Sequence, residues 1–487
     1  MAILSEIYAW ANNFEENTRI FCLVDFEGTG KSTIANHVAR KWQAEGRLAG
    51  RFFFSQGFTG ASTASDFPLF LAGALRATFP ELEDQLQRAQ GNLKQAVALP
   101  IPQQWNRLVV SSLQLIGDRP LVIVVDGLNE CSTDSREQLL NCILETFRSS
   151  ETLRKVKIFL TTRSNPGMER LLRGAGNAAR IESLMSTPSQ KRSTLQDISH
   201  YIHHRMSHVQ GPGMSEQDYE ALVTRSGGRF IFAATACTIL LRSRHRRACL
   251  RRIIGANDSD ALSALYLSTL RYASDLDEAC SVAHLMLFLS VVVAIRQPLP
   301  LPIIVELLPK ATPINVTRII ENLAGLVSGG IQGEPIRVIH PTFREFLLRA
   351  SISQEYSINL NMAHAILAKS CLSLISQSLK TDICSLSTPG EPFPLNDDIR
   401  KLEAKLDNCI MPQIQYAALN WSIHATFSIH TPAVLQLTRQ FFTRNILNWL
   451  ELGFLCGLET EYVIGLSNLQ IAIENNLLLR GSCVVSG

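Results

Sequence analysis

No pair among the eleven cysteines falls at C-x-x-C spacing, so the chain lacks the clustered thiols of a structural zinc site. A disulfide framework belongs to small secreted domains rather than to a chain of 487 residues, and buried thiols in a reducing compartment are the expectation. Charge of one sign is missing too. Lys plus Arg number 46 against 43 Asp plus Glu, a net of +3, which excludes a surface built to seek polyanions throughout. No apolar run reaches membrane length: Ser281 to Ile295, the longest uncharged apolar stretch, falls short of the ~18–20 residues needed and carries His284 and Ser290. The first residues, Met1 to Glu6, show no basic segment leading into an apolar core. No signal peptide is therefore expected, and a cytoplasmic location is. No repeat of 20–50 residues is visible, which excludes a repeat array.

What remains is a chain 46% hydrophobic and 18% charged, enough to bury cores. Its length suits roughly three domains at about 150 residues each. The first third alternates apolar runs with helical patterns. Ile20–Val24, Arg51–Phe54, Leu121–Val125 and Lys157–Thr161 are apolar without alternation, as in strands buried on both faces of a parallel sheet. Between the first two, Ile34, Val38 and Trp42 recur at four-residue spacing beside Ala35 and Ala39, a buried helix face. Strands separated by helices predict a doubly wound α/β domain. After about Met185 the strands largely stop. Thr187 to Arg192 has the composition of a linker into helical patterns. Pro300 to Ala350 gives two short helical patterns, the second within Pro313 to Leu326, then a Gly329-Gly330 turn between short β-like runs, the order of a winged helix. A polar, Pro-rich loop, Ser385 to Pro394, interrupts the last helical region.

Gly28-Thr29-Gly30-Lys31-Ser32, followed by Thr33, sits between the first strand and the first helix. A phosphate-binding loop needs that placement, because a helix N-terminus and backbone N–H groups then point at the phosphates. The glycines allow close approach, Lys31 neutralises phosphate charge, and the Ser32 hydroxyl is a Mg²⁺ ligand. The full pattern wants Gly five residues before Gly30, where this chain has Asp25. Asp126 ends the third strand, in the crevice where ligands bind in open α/β sheets, and is the second Mg²⁺ ligand. The alternative is that Asp126-Gly127 is a plain turn. Glu130 is placed to polarise an attacking water. Arg163 follows the fourth strand at the same edge, where it senses a γ-phosphate or else forms a surface ion pair.

These pieces together resemble the NACHT ATPases of the STAND class. Within that class they are most similar to the nephrocystin-type, NLR-like proteins abundant in mushroom-forming fungi. Further matches are Glu6–Trp10, Phe52–Ser55, Gly227–Ala233, His340–Leu347 and Tyr416–Trp421, so the resemblance covers about residues 5–425. It implies a P-loop NTPase doubly wound parallel sheet followed by a helical domain, a winged helix and a C-terminal helical region. The expected boundaries are 1–186, 187–275, 276–350 and 351–487. It also implies a signal-transduction switch held closed by ADP and opened by ATP, with slow hydrolysis and homo-oligomerisation. ATP/ADP with Mg²⁺ is the expected ligand set and GTP the alternative base. His340 matches the winged-helix His that reaches the β-phosphate of ADP; the alternative is a satisfied core His.

Several departures keep a second reading open, a non-enzymatic scaffold with a degenerate P-loop. Asp25 and Glu27 put two acids into the loop, where Asp25 is expected to face the phosphates. Asn129 stands where the family has a second acid. Few residues precede Glu6, so an effector domain is expected to be absent, as are WD40 or ankyrin repeats. Arg242, Arg244, Arg246, Arg247, Arg251 and Arg252, with His245, form either an anionic-partner site or a solvated helix face. Pro313 to Leu326 carries only Arg318 against Glu321, which speaks against DNA binding by the winged helix.

Overall fold

The computed structural model describes residues 2–54, 64–91, 96, 99–131, 133–149, 153–207, 214–243, 246–255, 260–275, 282–310, 314–323, 325–330, 333–386 and 402–484. They fall into two units, Met1–Leu265 and Tyr266–Gly487.

In the first unit β1 (Ile20–Asp25) and β3 (Leu121–Asp126) are buried at every position. Both lie inside a parallel sheet with β2 (Leu48–Phe53), β4 (Val156–Arg163) and β5 (Ala179–Glu182), in the order β2-β3-β4-β1-β5. Side chains alternate between the two faces of each strand, and here each face meets a helix layer. Phe21, Leu23, Val122, Val124 and Phe159 pack against Trp10 of α1 (Ala2–Asn12) and Ile34, Val38 and Trp42 of α2 (Lys31–Ala44). Ile20, Cys22, Ile123, Val125, Ile158 and Leu160 pack against Phe67 and Leu71 of α3 (Asp66–Thr78) and Leu140 and Ile143 of α4 (Thr133–Ser149). This is the doubly wound α/β fold of a P-loop NTPase.

Two local expectations need correction. Thr187 to Arg192 is no linker. It opens a 19-residue helix, Pro188–Met206, and Thr187 and Gln190 form a reciprocal capping box with Pro188 in the first turn. β5 was not expected at all; its four residues are half-buried and present no apolar run. The unit continues with helices Glu216–Ser226, Phe230–Arg242 and Arg246–Gly255.

In the second unit, helices Leu301–Leu307 and Val316–Asn322 precede an antiparallel pair, β6 (Val327–Ser328) and β7 (Arg337–Val338), the winged-helix order. Gly329 has φ 93°, and a Cβ there would lie 2.1 Å from the Pro335 carbonyl oxygen, so the tight turn requires glycine. The other described elements of this unit are helices, with Leu360–Ser378 lying along Pro412–Ser428. Of the apolar stretch from Ser281, residues Val282–Ala294 form a helix with Leu285, Phe288, Leu289 and Val291–Val293 buried, while Ser281 lies outside the described residues. Most of the loop expected at Ser385 to Pro394 (387–394) lies outside them too, as do Ser55 and Pro313. Among the described residues no single helix is long and apolar enough to cross a membrane.

Candidate functional site

Strand β1 ends at Asp25 and the chain turns through Phe26–Gly30 into α2. Gly28 and Gly30 have φ of 80° and 96°, a region glycine enters without strain. Ile34 N–H donates to Gly30 O (3.0 Å) as the first backbone bond of α2. The N–H groups of Lys31, Ser32 and Thr33 are thus the first-turn donors that phosphate oxygens take in such a loop. Thr29 is buried, its hydroxyl donating to Phe26 O (3.2 Å). Lys31 reaches back across the loop, its Nζ donating to the carbonyls of Asp25 (3.0 Å) and Phe26 (2.6 Å). Burial lowers its pKa to about 8; the carboxylates of Asp25, Asp126 and Glu27 pull it upward and Arg163 pushes it further down.

At the end of β3, Asp126 is 5% exposed. The Thr161 hydroxyl of β4 donates to its Oδ1 and accepts from Gly127 N–H (3.1 Å), fixing the carboxylate. Ser32 stands beside the same carboxylate, where its hydroxyl favours the charged form. Burial raises the Asp126 pKa, while the Thr161 and Ser32 hydroxyls and Lys31 oppose the rise. Ser32 and Asp126 therefore present paired hard oxygens, a donor set suited to Mg²⁺, which takes one or two protein oxygens and completes its shell with phosphate and water. No group of three or more His, Cys, Asp or Glu could hold a metal among the described residues, and a Mg²⁺ site of this type does not need one.

The strand order supplies the third element. Because β4 lies between β1 and β3, Arg163 at its end stands between the P-loop and the Asp126 turn. Its Nη1 pairs with Glu27 (2.9 Å) and its Nη2 with Glu130 (3.4 Å). Asn129 accepts from Arg163 N–H (3.0 Å) through its carbonyl and donates to Glu130 (2.7 Å) through its amide. An Asp here could not make both bonds, so Asn129 orients Glu130. The ion-pair alternative for Arg163 is thus present in the structure, but at the loop itself.

Asp25 corrects an expectation. Its carboxylate does not face the first turn of α2. Oδ2 accepts from Leu184 N–H (2.7 Å) and the Ser183 hydroxyl (3.1 Å), and Oδ1 from Phe26 N–H (2.9 Å). Here the carboxylate ties the end of β1 to the segment after β5, and the residue is 4% exposed.

Sequence reasoning also missed what covers the loop. Ile231 N–H, at the start of helix Phe230–Arg242, donates to Gly28 O (3.1 Å), and a Cβ on Gly28 would lie 2.3 Å from Ile231 Cγ2. Phe230 is 3.6 Å from where a Gly30 Cβ would stand. Arg229 lies over the Phe26 ring (5.4 Å) and pairs with Asp260 (2.6 Å). The segment Gly227–Ala233 stood out as a motif, but nothing local said which loop it packs on. His340 belongs to the second unit, where it caps helix Pro341–Leu347: its Nδ1 accepts from Thr342 N–H (3.2 Å) and lies 2.7 Å from the Thr342 hydroxyl. Arg242, Arg247, Arg251 and Arg252 are exposed and Arg246 is half-buried, its Nε donating to Leu240 O (3.0 Å), whereas Arg244 and His245 lie outside the described residues.

A glycine-rich strand-to-helix loop with Lys31 and Ser32, facing an acid-terminated strand across an inserted β4, defines a P-loop NTPase domain. Residues 4–163 match the family described as Nephrocystin 3, N-terminal, so this stretch is similar to the N-terminal domain of nephrocystin-3 proteins. No curated protein matches the sequence. Among solved structures, a Walker-type ATPase of Pyrococcus abyssi is similar at 12% identity, over 68% of this chain and 91% of that one, with a TM-score of 0.32. A Drosophila ORC assembly bound to poly(dA/dT) DNA is similar at 13% identity, over 92% of this chain and 70% of that one, with a TM-score of 0.25. Likenesses this loose decide nothing about function.

Proposed function

We propose that this chain is a nucleotide-operated switch of the NACHT type, cytoplasmic, which binds ATP or ADP with Mg²⁺ and hydrolyses it slowly. The observation that carries the reading is the convergence of Lys31, Ser32, Asp126, Glu130 and Arg163, drawn from three strand ends, on one edge of the sheet. In this reading the backbone N–H groups from Gly28 to Thr33 and the Lys31 ammonium hold the phosphates. Ser32 and Asp126 hold Mg²⁺, which supplies charge neutralisation on the phosphate oxygens when bound. Glu130, oriented by Asn129, accepts a proton from the attacking water, and Arg163 addresses the terminal phosphate. His340 is assigned to ADP recognition by motif resemblance alone. The packing of Ile231 and Phe230 on Gly28 and Gly30 supports a coupling between loop occupancy and the helical segment, from which nucleotide-dependent self-association would follow.

The scaffold reading draws support from one observation: Lys31 and Arg163 are both engaged by the chain's own oxygens. Titration of purified protein with Mg-ADP and Mg-ATP, repeated in chelator, separates the two. Mg-dependent binding establishes the switch reading's first requirement. Absence of binding leaves the scaffold.

A further inference from the structure

The loop acid Glu27 has no place in phosphate binding, yet it is held where a phosphate would be recognised. Its carboxylate meets Arg163 Nη1 at 2.9 Å, with both side chains less than one-third exposed. The loop backbone around it is pinned on either side. Lys31 Nζ holds the carbonyls of Asp25 and Phe26, the Arg229 guanidinium covers the Phe26 ring, and Ile231 N–H holds Gly28 O. Glu27 therefore does not wave from a mobile loop; it is fixed opposite the guanidinium. The same Arg163 is shared with Glu130.

Carboxylate and phosphate are the two partners a guanidinium fork fits. We propose that Glu27 acts as an internal competitor for the γ-phosphate, setting the site to prefer a nucleoside diphosphate over a triphosphate. A diphosphate is held by the loop N–H groups and Lys31, and leaves the Glu27–Arg163 pair undisturbed. A triphosphate needs the Arg163 charge for its terminal group. It must displace Glu27 or accept a like charge beside it, at a cost the diphosphate does not meet. Exchange to the triphosphate then includes rupture of an ion pair inside the loop. Glu27 is a specificity-determining residue acting through Arg163. The inference rests on the nucleotide-site reading above.

The test is calorimetric titration of the full chain with Mg-ADP and with a non-hydrolysable Mg-ATP analogue. Wild type, Glu27→Gln, Glu27→Asp, Arg163→Ala and the Glu27→Gln/Arg163→Ala double variant are compared, each checked for folding by thermal melting. Glu27→Gln should tighten the triphosphate analogue about tenfold and change the diphosphate less than about twofold. Glu27→Asp should keep part of the wild-type discrimination. In the Arg163→Ala background the Gln substitution should change the ratio less, since no ion pair is then left to rupture. Should Glu27→Gln not fold, Glu27→Ala is judged by the same ratio. If wild type binds both nucleotides and the ratio stays fixed across the Glu27 variants, the inference is overturned while the site stands. If neither nucleotide binds wild type or any variant, the site reading itself fails, and this inference with it.

Discussion

The ends of β1 and β3 look alike in sequence and differ in use. Each strand is a buried apolar run closed by an aspartate, and Asp25 and Asp126 are 4% and 5% exposed. Asp126 accepts from the Thr161 hydroxyl and has Ser32 beside it, on the side of the P-loop. Asp25 is met by a backbone N–H and a hydroxyl from residues 183–184, beyond the edge strand. One carboxylate lies beside the P-loop, where the proposed function gives it Mg²⁺ to hold, and the other fastens the sheet. Strand position alone does not make an acid catalytic; its hydrogen-bond partners decide.

The largest test acts at the β3 end. Replacing Glu130 by Gln keeps the Asn129 contact in reach but removes the base. Hydrolysis should fall by about 10²-fold or more, with Mg-nucleotide affinity nearly unchanged, as phosphate release and titration would record. A variant that hydrolyses as fast as wild type removes Glu130 from the mechanism. Next in size is Lys31→Ala, at the junction of the two ends. It deletes charge-assisted hydrogen bonds to phosphate worth about 1.5–3 kcal/mol each. Affinity should drop about 100-fold or beyond detection while the melting transition persists. Unchanged affinity would break the P-loop assignment.

The comparison itself is broken or kept by a matched pair, Asp25→Asn and Asp126→Asn. Asp25→Asn should lower stability by about 1–3 kcal/mol, since the amide nitrogen cannot accept as the oxygen it replaces does, and leave nucleotide affinity within a few-fold. Asp126→Asn should instead weaken the Mg²⁺ dependence of binding. Denaturant unfolding alongside titration reads both. A tightening of nucleotide binding by Asp25→Asn, as expected of an acid facing phosphate, would restore the view of Asp25 as a defect in the loop.

The local features of the site were legible in sequence because they are contiguous: Gly28–Ser32 between a buried run and a helical face, and Asp126 closing another. The rest was set by partners far away along the chain. Asp25 bonds to Leu184, 159 residues on. Arg163 reaches both Glu27 and Glu130 because β4 inserts between β1 and β3, an order no local pattern encodes. The Thr187 capping box is a different case. Thr187, Pro188 and Gln190 were visible at the right offsets, and their polar composition was mistaken for a linker.

Lys31 offers the finest discrimination, because both strand ends act on its charge. Burial holds its pKa at about 8, against the carboxylates of Asp25, Asp126 and Glu27. An unfolded chain keeps this proton to about 10.4. Between those values the unfolded state binds more protons, so stability of the nucleotide-free protein should rise with pH as the buried charge is lost. Nucleotide affinity should run the other way. Above pH 8 the ammonium that phosphate requires must be regained by taking up a proton. The Kd should therefore rise, by up to about tenfold per pH unit. Lys157 confuses the stability half of this test, since burial lowers its pKa to about 8 as well, where it holds the carbonyls of Trp10 and Asn13. Lys31→Met removes the ambiguity. The variant keeps the Lys157 contribution, so the difference between its denaturation profile and that of wild type over pH 7–10 isolates Lys31. Opposite slopes for stability and affinity place the buried ammonium at the phosphates. Parallel slopes, or an affinity flat through pH 8, would put Lys31 to structural use alone, like Asp25 beside it.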